Sequence, residues 1–329
     1  MNLETVSRMS GTKLEKWKNL MAISSLHVES RPEKTVLVWD DEELIAAGSR
    51  DANILKLFAV APNRQGEDLL AKVITELRRD AFEDGHNHLF LYTKPANKLI
   101  FSSLFFYPVA ETDKVLVMEN KRDGITQFLD TLPNDDNTGK KIGALVMNCN
   151  PFTLGHQYVI ETAAKECDKI YIFVLSEEGD GFSAKDRYEM VKLGTSHIPN
   201  VTVLKTGPYL ISAATFPTYF LKDRDSADQV LCDVDIEIFV KYFVPKLSIS
   251  RRYVGTEPLS QMTNTYNEAL KNKLPLHNIE FVEIKRKEVE NTPISASAVR
   301  AHIQSGNVEK IKSLVPSTTY NYLSENNLI

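Results

Sequence analysis

A chain of 329 residues is long enough for two domains, each able to bury its own core. Its charged and hydrophobic fractions, 25% and 43%, are those of an ordinary soluble globular protein. The net charge of -5, with acids and bases mixed along the chain, excludes the electrostatic footprint of a dedicated nucleic-acid binder.

No uninterrupted apolar run reaches the ~18 to 20 residues that span a bilayer, and the first residues lack a signal-peptide pattern. A cytoplasmic protein with no membrane partner is expected. The cysteines, Cys149, Cys167 and Cys232, are odd in number and form no CxxC pair, which argues against a disulfide framework and a zinc site. No metal ligands are assigned.

In chain order, a helix is expected over residues 14–27, then strands over 35–39 and 44–49 joined at Asp40 to Glu43, and a strand over 54–60. After Pro62 and the loop 63–68, Leu69, Leu70, Val73, Ile74 and Leu77 form an apolar stripe at helical spacing. A strand over 88–93, a helix over 96–104 and strands over 106–109 and 115–119 follow. This order, with "LKLFAVAPNRQGEDLLAKVITELRRDAFEDG" at its centre, resembles the GNAT acetyltransferase fold over residues 36 to 119. In that family the loop after the strand follows a Gln/Arg-x-x-Gly-x-Gly/Ala pattern, whose amides hold the pyrophosphate of acetyl-CoA. Asn63, Gly66 and Asp68 stand at the matching positions, and a carboxylate at Asp68 repels a diphosphate. A structural or docking role is therefore expected ahead of acetyl transfer.

Residues 126–140, rich in turn formers and poor in periodicity, read as a linker between a domain over 1–125 and a second over 141–329. Strands are expected over 142–147, 169–175, 201–205, 250–254 and 280–284. Helices are expected over 155–166, 184–195, 233–243, from Ile294 to near Gly306, and over 308–314, while 208–222 stays unassigned. Strands alternating with helices imply an α/β domain with a parallel sheet covered on both faces, whose ligands bind at the carboxyl ends of the strands.

The chemistry concentrates at one such end. From Lys141 to His156 an apolar strand stops at Asn148, turns through Asn150-Pro151 and opens a helix at Thr153-Leu154-Gly155-His156. Free amides and the positive helix end then point at one spot, which suits a phosphate chain. A lone histidine at a helix start is usually incidental. A second helix start changes the weighing: Ser295 is a plausible N-cap, and Ser297 and Arg300, three apart, share a face. Hydroxyls, amides and a guanidinium would converge on one anion. Cys149 invites a nucleophilic reading, but no histidine is placed beside it in sequence, so it reads as a strand-end scaffold.

Together, the Thr-x-Gly-His turn and the Ile-Ser-x-Ser-x-x-Arg run at Ile294 to Arg300 resemble the nucleotidylyltransferase superfamily. The resemblance implies a Rossmann-like domain in which Thr153 and His156 hold the triphosphate, and Ser295, Ser297 and Arg300 grip its β- and γ-phosphates. "MNCNPFTLGHQYVIETAA", "FSAKDRYEMV", "RRYVGTEPLSQMTNTYNEAL" and "NTPISASAVR" more closely resemble the citrate lyase ligase family, as does a GNAT-like domain placed first. That family implies ATP and Mg2+ as cofactors. It implies acetate and the acyl carrier subunit of citrate lyase, with its CoA-like thiol, as partners. Arg187, and less so Lys185, are candidates for further phosphate contacts; Gly255 and Thr256 for the base or ribose; and Asn148, Asn150, Pro151 and Phe152 for the pocket wall. Two other readings stay open, a nucleotidylyltransferase joining AMP to a phosphorylated small molecule and an ATP-sensing regulator that binds the carrier.

Overall fold

The computed structural model describes residues 1–28, 31–178, 180–210, 227–257, 260–289 and 292–329. The chain divides into two compact units, Met1–Gln127 with Phe216–Glu237, and Phe128–Thr215 with Ile238–Ile329.

The first unit is built on a seven-stranded sheet of order β1-β2-β3-β4-β5-β7-β6. Its strands are β1 (Asn2–Val6), β2 (Lys34–Asp40), β3 (Glu43–Asp51), β4 (Ile54–Val60), β5 (Phe90–Thr93), β6 (Tyr107–Glu111) and β7 (Leu116–Glu119). Its helices are α1 (Gly11–Ile23), α2 (Leu69–Glu83), α3 (Lys98–Ser103) and the start of α4 (Gly124–Asp130). Every pairing is antiparallel except β4 with β5, which pair only at Ile54 and Leu55 and then part. The parting follows a bulge, where Leu57 (φ 56°) and Phe58 stand opposite Gly48. This order and splay make the unit a GNAT-like α+β fold. The stripe on α2 is buried at Leu69, Val73, Ile74, Leu77 and Ala81. Each large apolar member contributes roughly 2 kcal/mol by leaving water. Gly48 lets α2 lie close, since a Cβ there would come within 2.5 Å of Val73 Cγ1.

The helix expected over 14–27 stops sooner, at Ile23, because Ser25 turns left-handed (φ 55°) and the amides of Ser25 and Leu26 bond back to Ala22 O and Met21 O. Strand β1 was not expected. It pairs with β2 along its whole length but lies at the sheet edge, so its NLETV sequence shows little alternation.

The second unit carries a five-stranded parallel sheet of order β10-β9-β8-β11-β12. Its strands are β8 (Ile142–Met147), β9 (Lys169–Val174), β10 (Val201–Lys205), β11 (Arg251–Gly255) and β12 (Glu280–Ile284). The helices are α5 (Leu154–Glu166), α6 (Ala184–Thr195), α8 (Val244–Leu247), α9 (Gln261–Lys273), α10 (Ala296–Gln304), α11 (Val308–Leu314) and α12 (Ser317–Glu325); α7 (Ala227–Ile238), which precedes α8 in the chain, falls in the first unit up to Glu237. The short strands β13 (Glu288–Val289) and β14 (Thr292–Pro293) form a separate pair. The helix expected over 233–243 instead begins at Ala227 and gives way at Phe239–Phe243 to a wide π-turn. Pro245, which has no N–H to donate, follows that turn. Most of 208–222 lies outside the described residues.

From β8 the chain builds outward to β9 and β10, then returns to β11 on the other side of β8. The order therefore reverses between β8 and β11, and the crevice at their carboxyl ends is the topological switch point. Much of the stretch expected as a linker is packed into this unit. Asn137 is buried and donates to Leu247 O at 2.9 Å and Tyr171 Oη at 3.1 Å, contacts far away in sequence.

Candidate active site

Strand β8 ends in a turn that the rest of the site leans on. Cys149 adopts φ 50°, is 1% exposed, and is followed by a cis Asn150-Pro151 bond. Burial pushes its thiol pKa well above the ordinary value, which Arg187 offsets only in part, so Cys149 is a protonated scaffold group and not a nucleophile. Asn150 ties the turn to the loop after β9: its Oδ1 accepts from Phe182 N at 2.9 Å, and its Nδ2 donates to Asp180 O at 2.6 Å. Pro151 and Phe152 are buried. Phe152 lies against Gly194 of α6, where a Cβ would fall 2.3 Å from its ring.

The start of α5 is a reciprocal cap. Thr153 Oγ1 accepts from His156 N at 3.3 Å, and His156 Nδ1 accepts from Thr153 N at 3.0 Å. An Nδ1 that accepts a backbone N–H carries no proton, so the neutral ring bears its hydrogen on Nε2, on the far side of the ring from the cap. Burial, and then the charge of Arg286, hold the His156 pKa down to about 4. The imidazole is therefore an uncharged N–H donor at neutral pH, with Phe152 stacked at 6.0 Å between centroids.

The start of α10 is brought against this first turn. Ser295 caps α10, accepting from Ala298 N at 3.1 Å, and Ile294 N donates to Lys287 O at 3.2 Å. Gly155 makes the approach possible, since a side chain there would begin 3.3 Å from Ile294 O. Arg300 donates to Asn150 O and, at 3.2 Å, to Ser297 Oγ, so it reaches from α10 to the β8 turn. Two helix N-termini, a neutral imidazole and a guanidinium thus share one crevice.

Gly255 and Thr256 form the opposite lip. Gly255 sits 3.6 Å, measured from its ideal Cβ, from Val159 of α5, and its carbonyl accepts from Asn267 Nδ2 at 3.1 Å. Thr256 N donates to Ile284 O, and its Oγ1 accepts from Arg286 N at 3.0 Å. Neither Arg286 nor its ion-pair partner Glu257 was among the site residues expected from sequence: Glu257 lies within the family-like run from Arg251 to Leu270, and Arg286 lies in no such run.

Arg187 is placed differently from the phosphate contact expected of it. It is 2% exposed and braces two loops, donating to the carbonyl and side chain of Asn148 and to Glu177 O. Its guanidinium positions Asn148 from behind. Lys185 is exposed on α6. Among the described residues no group of three or more His, Cys, Asp or Glu is placed to hold a metal ion.

In the first unit, the loop after β4 does not fit the diphosphate of acetyl-CoA. Arg64 is paired with Asp40 at 2.7 Å and Glu67 at 2.6 Å, and Glu67 and Asp68 place two exposed carboxylates on the loop. Beyond Leu55, where β4 and β5 part, Phe58 packs on Phe101 with ring centroids 5.3 Å apart.

The crevice at the switch point, walled by two capped helix starts, defines the second unit as a Rossmann-like parallel α/β domain with two helix N-termini opening at its strand ends. Residues 142–323 match the family model for the citrate lyase ligase C-terminal domain. The chain is 39% identical over 305 residues to citrate (pro-3S)-lyase ligase of Klebsiella pneumoniae, covering 91% of this chain and 89% of that one. It is 36% identical over 324 residues to the Escherichia coli protein of that name (97% and 92% covered) and 33% over 320 residues to that of Haemophilus influenzae (95% and 96%). The chain belongs to the citrate lyase ligase family.

Proposed function

We propose that the chain joins acetate to the thiol of the citrate lyase acyl carrier at the expense of ATP, forming acetyl-adenylate and pyrophosphate on the way. The observation that carries this is the meeting of the α5 and α10 N-termini at Gly155 and Ile294, with His156 and Arg300 at the same crevice. Acetate, with a pKa of about 4 like a side-chain carboxyl, is ionised at neutral pH, so its attack on the α-phosphorus needs no general base. It needs alignment and charge stabilisation. His156 Nε2–H donates to an α-phosphate oxygen, with Thr153 fixing the ring. Ser295, Ser297 and Arg300 hold the β- and γ-phosphates. Asn148, Asn150, Pro151, Phe152 and Gly155 shape the floor, and Gly255 and Thr256 border the base or ribose. Mg2+, when bound, neutralises the triphosphate. The carrier's CoA-like thiol then attacks the acetyl carbonyl and AMP leaves. The compartment is the cytoplasm.

The test is ATP–pyrophosphate exchange that depends on acetate, together with acetyl appearing on the deacetylated carrier. His156→Ala is expected to slow exchange by about 100-fold or more, the usual cost of removing one transition-state donor. Exchange that ignores acetate but follows a phosphorylated acceptor would make the chain a simple nucleotidylyltransferase, and ATP binding without any exchange would make it a sensor.

A further inference from the structure

One cation borders the crevice without belonging to either helix start. Arg286 follows β12, and its N–H donates to Thr256 Oγ1 at 3.0 Å. The carbonyl of the next residue, Lys287, takes the N–H of Ile294 at 3.2 Å. Both anchors touch the first turns of α5: Ile294 through Gly155, and Thr256 through its neighbour Gly255, which abuts Val159 one turn beyond His156. A bond from its own N–H to the Thr256 hydroxyl on one side and the Lys287–Ile294 main-chain bond on the other therefore hold Arg286 where its charge acts on His156. Its side chain is 24% exposed, open to a ligand, and pairs with Glu257, whose own side chain is 8% exposed and also accepts from Ser260 N at 3.1 Å.

The chemistry at the α-phosphorus calls for such a group. As the acetate oxygen bonds to phosphorus and the bond to the pyrophosphate oxygen breaks, the electron pair leaves with pyrophosphate and no proton moves. The non-bridging oxygens stay anionic throughout. His156 is uncharged and offers one hydrogen bond, and Arg300 lies at the α10 start, where the proposed function gives it the β- and γ-phosphates. A fixed positive charge beside His156 completes the set.

We propose that Arg286 is a catalytic residue of the adenylation step: it exchanges Glu257 for an α-phosphate oxygen when ATP binds and returns to Glu257 after release. This rests on the adenylating reading above. Glu257 is a positioning residue that keeps the guanidinium in place between turnovers.

The experiment uses the full chain with Arg286→Gln and Arg286→Lys. Three quantities are read: ATP affinity by calorimetry without acetate or carrier, acetate-dependent ATP–pyrophosphate exchange, and the titration of the His156 ring by NMR. Arg286→Gln is expected to slow exchange about 100-fold, and Arg286→Lys to recover about a tenth of the wild-type rate, since it restores the charge without the fork. The His156 pKa should rise in the Gln variant and stay low in the Lys variant, a pattern that loss of folding cannot produce. Exchange by Arg286→Gln within about twofold of wild type, or an unmoved His156 titration, overturns the assignment. If the wild-type chain shows no acetate-dependent exchange, the adenylating reading has failed instead.

Discussion

The neutral state of His156 makes a prediction that reaches both stability and activity. Its pKa falls from an ordinary 6.5 to about 4, first by burial and then by Arg286. In the unfolded chain the ring takes its proton at about 6.5; in the folded protein it resists until about 4. Between those values the unfolded state binds more protons, so the free energy of unfolding rises with pH across this window and is level above it. The full stabilisation is present above 6.5 and lost as the pH falls through the folded value. A shift of this size corresponds to roughly 3 kcal/mol, of which about 2 kcal/mol is gone by about pH 5. His156→Gln isolates the effect, because glutamine at this helix position can still reach back to the Thr153 N–H and keep the cap. Urea unfolding of both proteins from about pH 5 to about pH 8 is the assay. The wild type should lose about 2 kcal/mol more than the variant on acidification, and its exchange rate should show no step near the ordinary histidine value. Parallel stability curves would refute the reasoning, as they would mean that the ring is solvated and titrates normally.

Gly155→Val should leave the fold intact by thermal melting yet slow exchange by about 100-fold, because a branched side chain starting 3.3 Å from Ile294 O separates the two helix starts. Thr153→Ala removes the cap of α5 and should cost about 1 kcal/mol in urea unfolding, while Thr153→Ser should not. Cys149→Ala should retain exchange within about threefold, and wild-type Cys149 should resist iodoacetamide until the protein is unfolded, in keeping with a buried, protonated thiol.

What the sequence made legible follows from how local each feature is. The run Ile142 to Met147 is an unbroken apolar strand closed by Asn-Pro, and its bounds were readable from those residues alone. The same holds for α6, β10, β12 and α11, where periodicity, caps and flanking turns agree. Helix α9 was overlooked because QMTNTYNEALKNK buries only a few positions, among them Asn267, a polar residue that no apolar stripe reveals. The place of Arg187 against the turn was hidden for a different reason. Its partners at Asn148 and Glu177 lie 39 and 10 residues away, and a basic residue at a helix start looks the same in sequence whether it meets a ligand or a carbonyl. Arg286 was invisible because its position is set by Thr256 and Ile294, brought together only by the parallel pairing of β11 and β12 and the return of the chain to α10.

The arginines around the crevice share a physical logic. A half-buried guanidinium with no partner would be costly, and one wholly committed to a carboxylate would be unavailable. Arg187, the most buried, braces the turn through its terminal nitrogens, which donate to Asn148 and Glu177, while its buried Nε has no hydrogen-bond partner. Arg300 rests on neutral acceptors, a carbonyl and a hydroxyl, which a phosphate oxygen can displace at little loss. Arg286 rests on a carboxylate, so in its proposed role ATP would compete with Glu257 for it and gain only the difference. The crevice therefore grades its cations from fixed to exchangeable. On the proposed assignment, a triphosphate, which can displace several acceptors at once, would be favoured over a single phosphate, which would meet the cost of breaking the Arg286 pair alone.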